Sequence, residues 1–108
     1  MYPYTGYSGA VINVVVIATR AQKQLRNVPL HIAQKLAGWV LSVEEKGIEE
    51  VRKIPGYHDE PLMGARKGQR SIRLAISYRA IYQIKTNDRR NGEVIEFITV
   101  EEVTKHRY

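Results

Sequence analysis

Two arginines, Arg73 and Arg79, lie in the segment SIRLAISYRAIYQI, Ser71 to Ile84. Each guanidinium is a planar fork of N–H donors, and a pair of them suits bidentate binding of a phosphate or carboxylate. Just upstream, the connection GYHDEPLMGARKG sets Tyr57, His58, Asp59 and Glu60 beside Arg66 and Lys67. Side chains that transfer protons and side chains that bind anions therefore share one loop. Loops positioned by a rigid sheet are common places for such chemistry.

The elements that carry these residues follow from their periodicity. Ile72, Leu74, Ile76, Tyr78, Ala80, Tyr82 and Ile84 alternate with Ser71, Arg73, Ala75, Ser77, Arg79, Ile81 and Gln83, the period-two pattern of a half-buried strand. The run of 14 residues exceeds the usual strand of about 5–6, which predicts two strands joined by a tight turn near Ala75 to Ser77. A loop with an odd residue count lets Arg73 sit opposite Arg79, both on the side of Ser71 and Ile81 and away from Ile72, Leu74, Ala80 and Tyr82. An even count would drive one arginine into the core, at a cost of several kcal/mol unless it is paired. The odd register is expected. Opposed arginines repel unless anions lie between them. Glu96, Glu101 or Glu102 on the last strand can supply those anions from within, and a phosphate can supply them from outside.

The rest of the chain predicts an α+β domain. VINVVVIA, Val11 to Ala18, is rich in β-branched residues and reads as a buried strand. Thr19 is a good helix N-cap for a short helix with Ala21, Leu25 and Val28 on one side, and Pro29 marks the entry to a second. That second helix, about Leu30 to Lys46, puts Ile32, Leu36, Val40 and Val43 on one stripe with Ala33 and Leu41 beside it, and Trp39 widens it. Gly47 is the natural stop. Ile48 to Ile54 suits another helical turn before Pro55-Gly56, Asn91-Gly92 signals a chain reversal, and Val94 to about Val103 forms the last strand. Strand, two helices and three strands in that order give one mostly antiparallel sheet with the helices on one face. His31, in the first turn of the second helix, reads as a surface residue.

Bulk properties bound the function. The 108 residues suit one domain over residues 11–108, preceded by a poorly ordered extension, residues 1–10, whose Pro, Gly, Ser and Tyr content suits no packed element. With 44% hydrophobic and 26% charged residues, no apolar run of membrane-spanning length and no secretory signal pattern, a soluble cytoplasmic protein is expected. The absence of cysteine removes disulfide and thiolate chemistry, and His31, His58 and His106 lie too far apart in sequence for a local metal motif. Seventeen Lys and Arg against 11 Asp and Glu leave a formal charge of +6, which attracts polyanions or acidic partners.

Glu60-Pro61-Leu62, Ser71-Ile72-Arg73, the segment YRAIYQI from Tyr78 and the closing Lys105-His106-Arg107-Tyr108 together resemble the RelE/ParE superfamily of toxins from toxin-antitoxin systems. The resemblance extends from Val11 onward and includes the order of elements. It is strongest to the RelE and YoeB type, which cut messenger RNA in the ribosomal A site. In RelE the segment YRLVYQV carries a phosphate-binding arginine, the place of Arg79 here. Arg73 falls where RelE has a catalytic lysine. Ser71 stands where RelE has its first active-site lysine, leaving Arg66, Lys67 or Arg70 to compensate. YoeB has EPL followed by an arginine at the same spacing as Glu60 to Arg79, so Glu60 resembles its catalytic glutamate. YoeB ends in a histidine-tyrosine pair, whereas Arg107 separates His106 from Tyr108 here.

The resemblance implies an RNA-cleaving toxin that needs no metal or other cofactor. The RNA 2′-hydroxyl attacks the adjacent phosphate, leaving a 2′,3′-cyclic phosphate and a 5′-hydroxyl. Glu60 is the candidate base, or orients the 2′-hydroxyl or Arg79. Extended backbone before Pro61 helps to aim it. Arg73 and Arg79 stabilise the charge on the phosphorane. His106 or Tyr108 protonates the leaving oxygen. Arg66, Lys67, Arg70 and Lys105 contact RNA backbone, and His58 and Tyr57 are candidates of second rank. Expected partners are the ribosome, its message and a cognate acidic antitoxin. Two alternatives stay open: a ParE-like protein that inhibits DNA gyrase by binding, and a catalytically degenerate toxin homologue.

Overall fold

Ile72, Leu74, Ala80 and Tyr82 are all buried in one cluster with Ile32, Leu36, Trp39 and Val43, so the helices pack on the apolar side of the predicted hairpin. The computed structural model describes residues 11–88 and 92–105. The N-terminal extension, Asn91 of the reversal, and the terminal His106 and Tyr108 lie outside the described residues. Along the chain, β1 (Val15–Ile17) precedes α1 (Thr19–Leu25), α2 (Leu30–Lys46) and the single turn α3 (Ile48–Val51). Then come β2 (Glu60–Pro61), β3 (Gln69–Ala75), β4 (Tyr78–Asp88) and β5 (Val94–Lys105). Short 3-10 turns, Pro55–Tyr57 and Gly64–Arg66, flank β2. The strands form one sheet in the order β1-β5-β4-β3-β2, antiparallel except for the β1–β5 edge pair. This is the expected α+β architecture. No helix among the described residues is long and apolar enough to cross a membrane.

Three local expectations are corrected. The first strand is shorter than Val11 to Ala18: Val11 and Val14 are exposed, and ladder pairing covers only Val15 to Ile17. Thr19 is the first residue of α1 rather than its cap, because the extended Ala18 donates its N–H to the Val100 carbonyl at 2.9 Å and takes the cap position. On α2 the buried stripe is Ile32, Leu36, Trp39 and Val43; Trp39 is fully buried while Leu41 is 59% exposed.

The β3–β4 hairpin also reaches the predicted register by a different route. Arg73 does face Arg79, but the turn is the two-residue Ile76-Ser77, an even count. The pairing shifts between Arg73 and Ala75, so Leu74 is an extra, bulged residue that restores the odd parity. Ile72 and Leu74 can then both face the core while the arginines stay on the opposite side. A second bulge serves β5: Ile81 pairs with Glu102 but Tyr82 with Val100, leaving Glu101 extra. Ile98, Val100 and Val103 all enter the core despite the three-residue step between the last two. Beyond Val100 strand β1 has ended, and the Val103 N–H instead bonds the Gln24 side chain of α1 at 2.7 Å.

Gly47 ends α2 with φ 86° and ψ 156°, a conformation nearly reserved for glycine, and an added Cβ would lie 2.5 Å from Val11 Cγ1. Gly47→Ala is therefore expected to lower stability by about 1–3 kcal/mol from the backbone alone, with the clash in addition. In urea unfolding, the double variant with Val11→Ala should recover the clash component only; an unchanged midpoint for Gly47→Ala would contradict this packing.

Candidate phosphate site on the outer face of the sheet

The row Glu60, Ser71, Ile81, Glu102 runs in register across β2, β3, β4 and β5, and the neighbouring row is Arg73, Arg79, Thr104. By strand alternation these residues share the face away from the helices. Arg79 is well covered, its side chain 18% exposed. Its Nη1 donates to Ser71 Oγ at 3.0 Å and lies 3.9 Å from Glu60 Oε1. Ser71 is itself buried. A guanidinium has five N–H donors, so these contacts orient the fork without exhausting it. Glu60 is 62% exposed and open to a ligand. Arg73 brings its Nη1 to 3.5 Å from His58 Nε2.

Glutamates on β5 do not serve as counterions to these two arginines among the described residues. Glu101 pairs with Lys85 at 3.1 Å, and Glu102 pairs with Arg66 and, at 3.8 Å, with Arg20. Glu96 makes no described ion pair with either arginine. The local balance is two guanidiniums against the single exposed carboxylate of Glu60. An excess of one positive charge remains, matching the single negative charge of a phosphodiester.

Asp59 and Glu60 are neighbours with opposite surroundings. The Asp59 side chain is 1% exposed and accepts from Arg70 Nε at 2.6 Å and from the Tyr82 hydroxyl. Arg70 and Tyr82 are register partners on β3 and β4, on the helix side of the sheet, and the Tyr82 ring lies 5.2 Å from that of Trp39. A buried carboxylate in this clamp fixes the loop, and the next residue, Glu60, emerges on the outer face. Burial alone would lower the Arg70 pKa, but the Asp59 carboxylate outweighs it and the pKa is raised. Burial first, and then the bond to Asp59, raise that of Tyr82.

The predicted site residues thus separate into groups. Glu60, Arg73 and Arg79 come together. Arg66 bonds Gln69 on β3 and Glu102 on β5, spanning the intervening β4 on the outer face. Arg70 lies on the other face, committed to Asp59. Lys67 follows the Gly64–Arg66 turn, and Lys105 pairs with Tyr78, one register step from Arg79; both are exposed. Tyr57 packs on the core beneath Lys35, whose Nζ is 5.1 Å from the ring centroid. Sequence reasoning missed the clamp at Asp59, the contact of Ser71 with Arg79 and the approach of His58 to Arg73. The alternation of Asp59 and Glu60 between faces was the available signal, but a two-residue strand containing Pro61 has no periodicity to reveal it.

No protein-family model and no curated protein matches the sequence. Solved structures are. YafQ from E. coli superposes with a TM-score of 0.63 at 14% identity, covering 84% of this chain and 90% of YafQ. A YoeB/ParE toxin from Agrobacterium tumefaciens gives 0.61 at 14% identity over 87% of this chain and 99% of the toxin. A chain of the toxin-antitoxin complex RelBE2 from Mycobacterium tuberculosis gives 0.59 at 19% identity over 90% and 100%. The fold is that of the RelE and YoeB toxins. At such identities the likeness establishes the RelE-like fold, and function has to be argued from the site.

The clamp has a pH signature. Because the folded protein raises the Tyr82 pKa, its neutral phenol contributes stability that is complete below the unfolded value of about 10 and is lost as pH rises above it. Denaturation midpoints should fall above pH 10 in the wild type and fall less steeply in Tyr82→Phe. At neutral pH that variant should lose about 1.5–3 kcal/mol, the range for a hydrogen bond to a charged group. Parallel pH profiles for the two proteins would contradict the clamp.

Proposed function

We propose that the protein is the toxin of a toxin-antitoxin pair and an endoribonuclease that cleaves translated messenger RNA on the ribosome. The observation that carries this reading is the Arg73–Arg79 pair on the outer face, with Glu60 as its exposed carboxylate. A protein that only binds a partner has no need of two forks and a free base converging on one anion. Structural neighbours support the toxin role, since they include the RelBE2 and DinJ-YafQ toxin-antitoxin complexes. An acidic antitoxin is accordingly the expected partner, complementing the net charge of +6.

In this reading the RNA phosphate lies across Arg73 and Arg79, which bind its non-bridging oxygens and stabilise the charge that grows in the transition state. Ser71 holds Arg79 in place. Glu60 takes the proton of the 2′-hydroxyl as that oxygen attacks phosphorus. Arg66, Lys67 and Lys105 add salt-sensitive attraction for the RNA backbone, and Arg70 acts through Asp59 to support the loop rather than through RNA. The bond to the 5′-oxygen breaks and that oxygen needs a proton. The family resemblance gives this task to His106 or Tyr108, which lie outside the described residues.

Expression of the wild type should arrest growth and create new message 5′ ends inside codons. Arg79→Ala should lower the cleavage rate by about 10²–10³-fold and relieve the arrest. Mapping of 5′ ends in cells expressing each protein checks this. Arrest without new cleavage sites would refute the nuclease reading.

A further inference from the structure

Among the described residues, His58 is the only non-glycine with positive φ, at φ 46° and ψ 50°. It closes the Pro55–Tyr57 turn, its N–H bonding the Pro55 carbonyl at 3.1 Å. This left-handed conformation is uncommon for a residue with a side chain. His58 stands two residues before Glu60 with its imidazole exposed and Nε2 at 3.5 Å from Arg73 Nη1. An arginine can only donate, so a hydrogen bond here uses the tautomer whose Nε2 accepts.

A chain of contacts and strand pairing links four groups. His58 meets Arg73, Arg73 is paired across the hairpin with Arg79, and Arg79 meets Glu60. Each fork has its own proton-transferring neighbour, and the two neighbours are chemically different. Glu60, an exposed carboxylate, is suited to accept a proton. Imidazole can carry one near neutral pH. In-line displacement at phosphorus places the entering and leaving oxygens on opposite sides, which calls for a base at one end of the phosphate and an acid at the other.

We propose that His58 is a catalytic residue of this site and donates the proton to the 5′-oxygen. The proposal rests on the nuclease reading above. When a phosphate takes the donors of Arg73, Nε2 is released to face the ligand. The charged group described against the ring is Arg73, with Arg79 and Glu60 the next charged groups along the chain of contacts, whereas Asp59 is turned into the core with Arg70. In the step itself the 2′-oxygen forms its bond to phosphorus and its proton passes to Glu60. The bond from phosphorus to the 5′-oxygen breaks, and that oxygen takes the proton from His58 Nε2. The products are a 2′,3′-cyclic phosphate and a 5′-hydroxyl, with no change in oxidation state.

The test uses the full chain acting on ribosome-bound messages that carry either a normal linkage or a 5′-bridging sulfur at the scissile phosphate. A thiolate leaves without a proton, so loss of the acid matters only for the normal message. His58→Asn is the suitable variant because asparagine tolerates positive φ. It should cut the normal message about 10²–10⁴-fold more slowly than wild type and the sulfur-containing one at close to the wild-type rate. Equal rates on the normal message, or an equal loss on both, would overturn the proposal and leave the nuclease reading standing. Selective rescue by sulfur of His106→Ala or Tyr108→Phe instead of His58→Asn would also overturn it, by placing the acid at the C-terminus. A wild type that cuts neither message would remove the nuclease reading itself.

Discussion

Arg73 and Arg79 face each other across the β3–β4 hairpin, and the rest of the site is arranged around that pairing. Opposed like charges on a ladder cost on the order of 0.2–1 kcal/mol. On the reverse side the same register buries Ile72, Leu74, Ala80 and Tyr82, each full burial of a large apolar side chain contributing about 1.5–3 kcal/mol. Packing therefore decides the register and carries the repulsion with it. Ser71 and Glu60 orient and partly neutralise Arg79, His58 approaches Arg73, and an excess positive charge is left on the outer face.

The second constraint is the division of work between Asp59 and Glu60. One carboxylate is buried in a clamp with Arg70 and Tyr82, backed by Trp39; the other is exposed beside Arg79. Removing one partner of such a buried pair leaves an uncompensated charge or donor, which is far more costly than losing an exposed ion pair. A two-residue strand that would be marginal by itself is thereby pinned to β3, and Glu60 inherits its position from a neighbour on the opposite face. Basic residues near the site are not equivalent for the same reason. Arg70 is spent on the clamp, and Arg66 is tied to Glu102, while Arg73 and Arg79 keep donors for a ligand.

Much of the architecture was legible in the sequence because its signals are periodic. The stripe on α2, the stop at Gly47, the strand segment beginning at Ser71 and the facing arginines all follow from side-chain spacing. What escaped was set by irregularity. The bulges at Leu74 and Glu101 change parity by one residue without any composition signal, so the facing arginines were correctly expected while the loop that produces them was not. Arg70 looked like one more basic residue next to the candidate phosphate site, and only its register with Tyr82 shows that it belongs to the other face. His58 was placed in the right loop, but its conformation depends on the turn that precedes it.

The central claim is that the ligand's phosphate binds the outer-face pair and not the other arginines. Guanidinium nitrogen-proton NMR spectra, recorded while the protein is titrated with a 2′-O-methyl oligonucleotide that cannot be cut, test it most directly. The Nε–Hε signals of Arg73 and Arg79 should shift together and saturate at one ligand, while that of Arg70 stays in place. Saturable shifts at Arg70 with none at Arg73 and Arg79 would contradict the account.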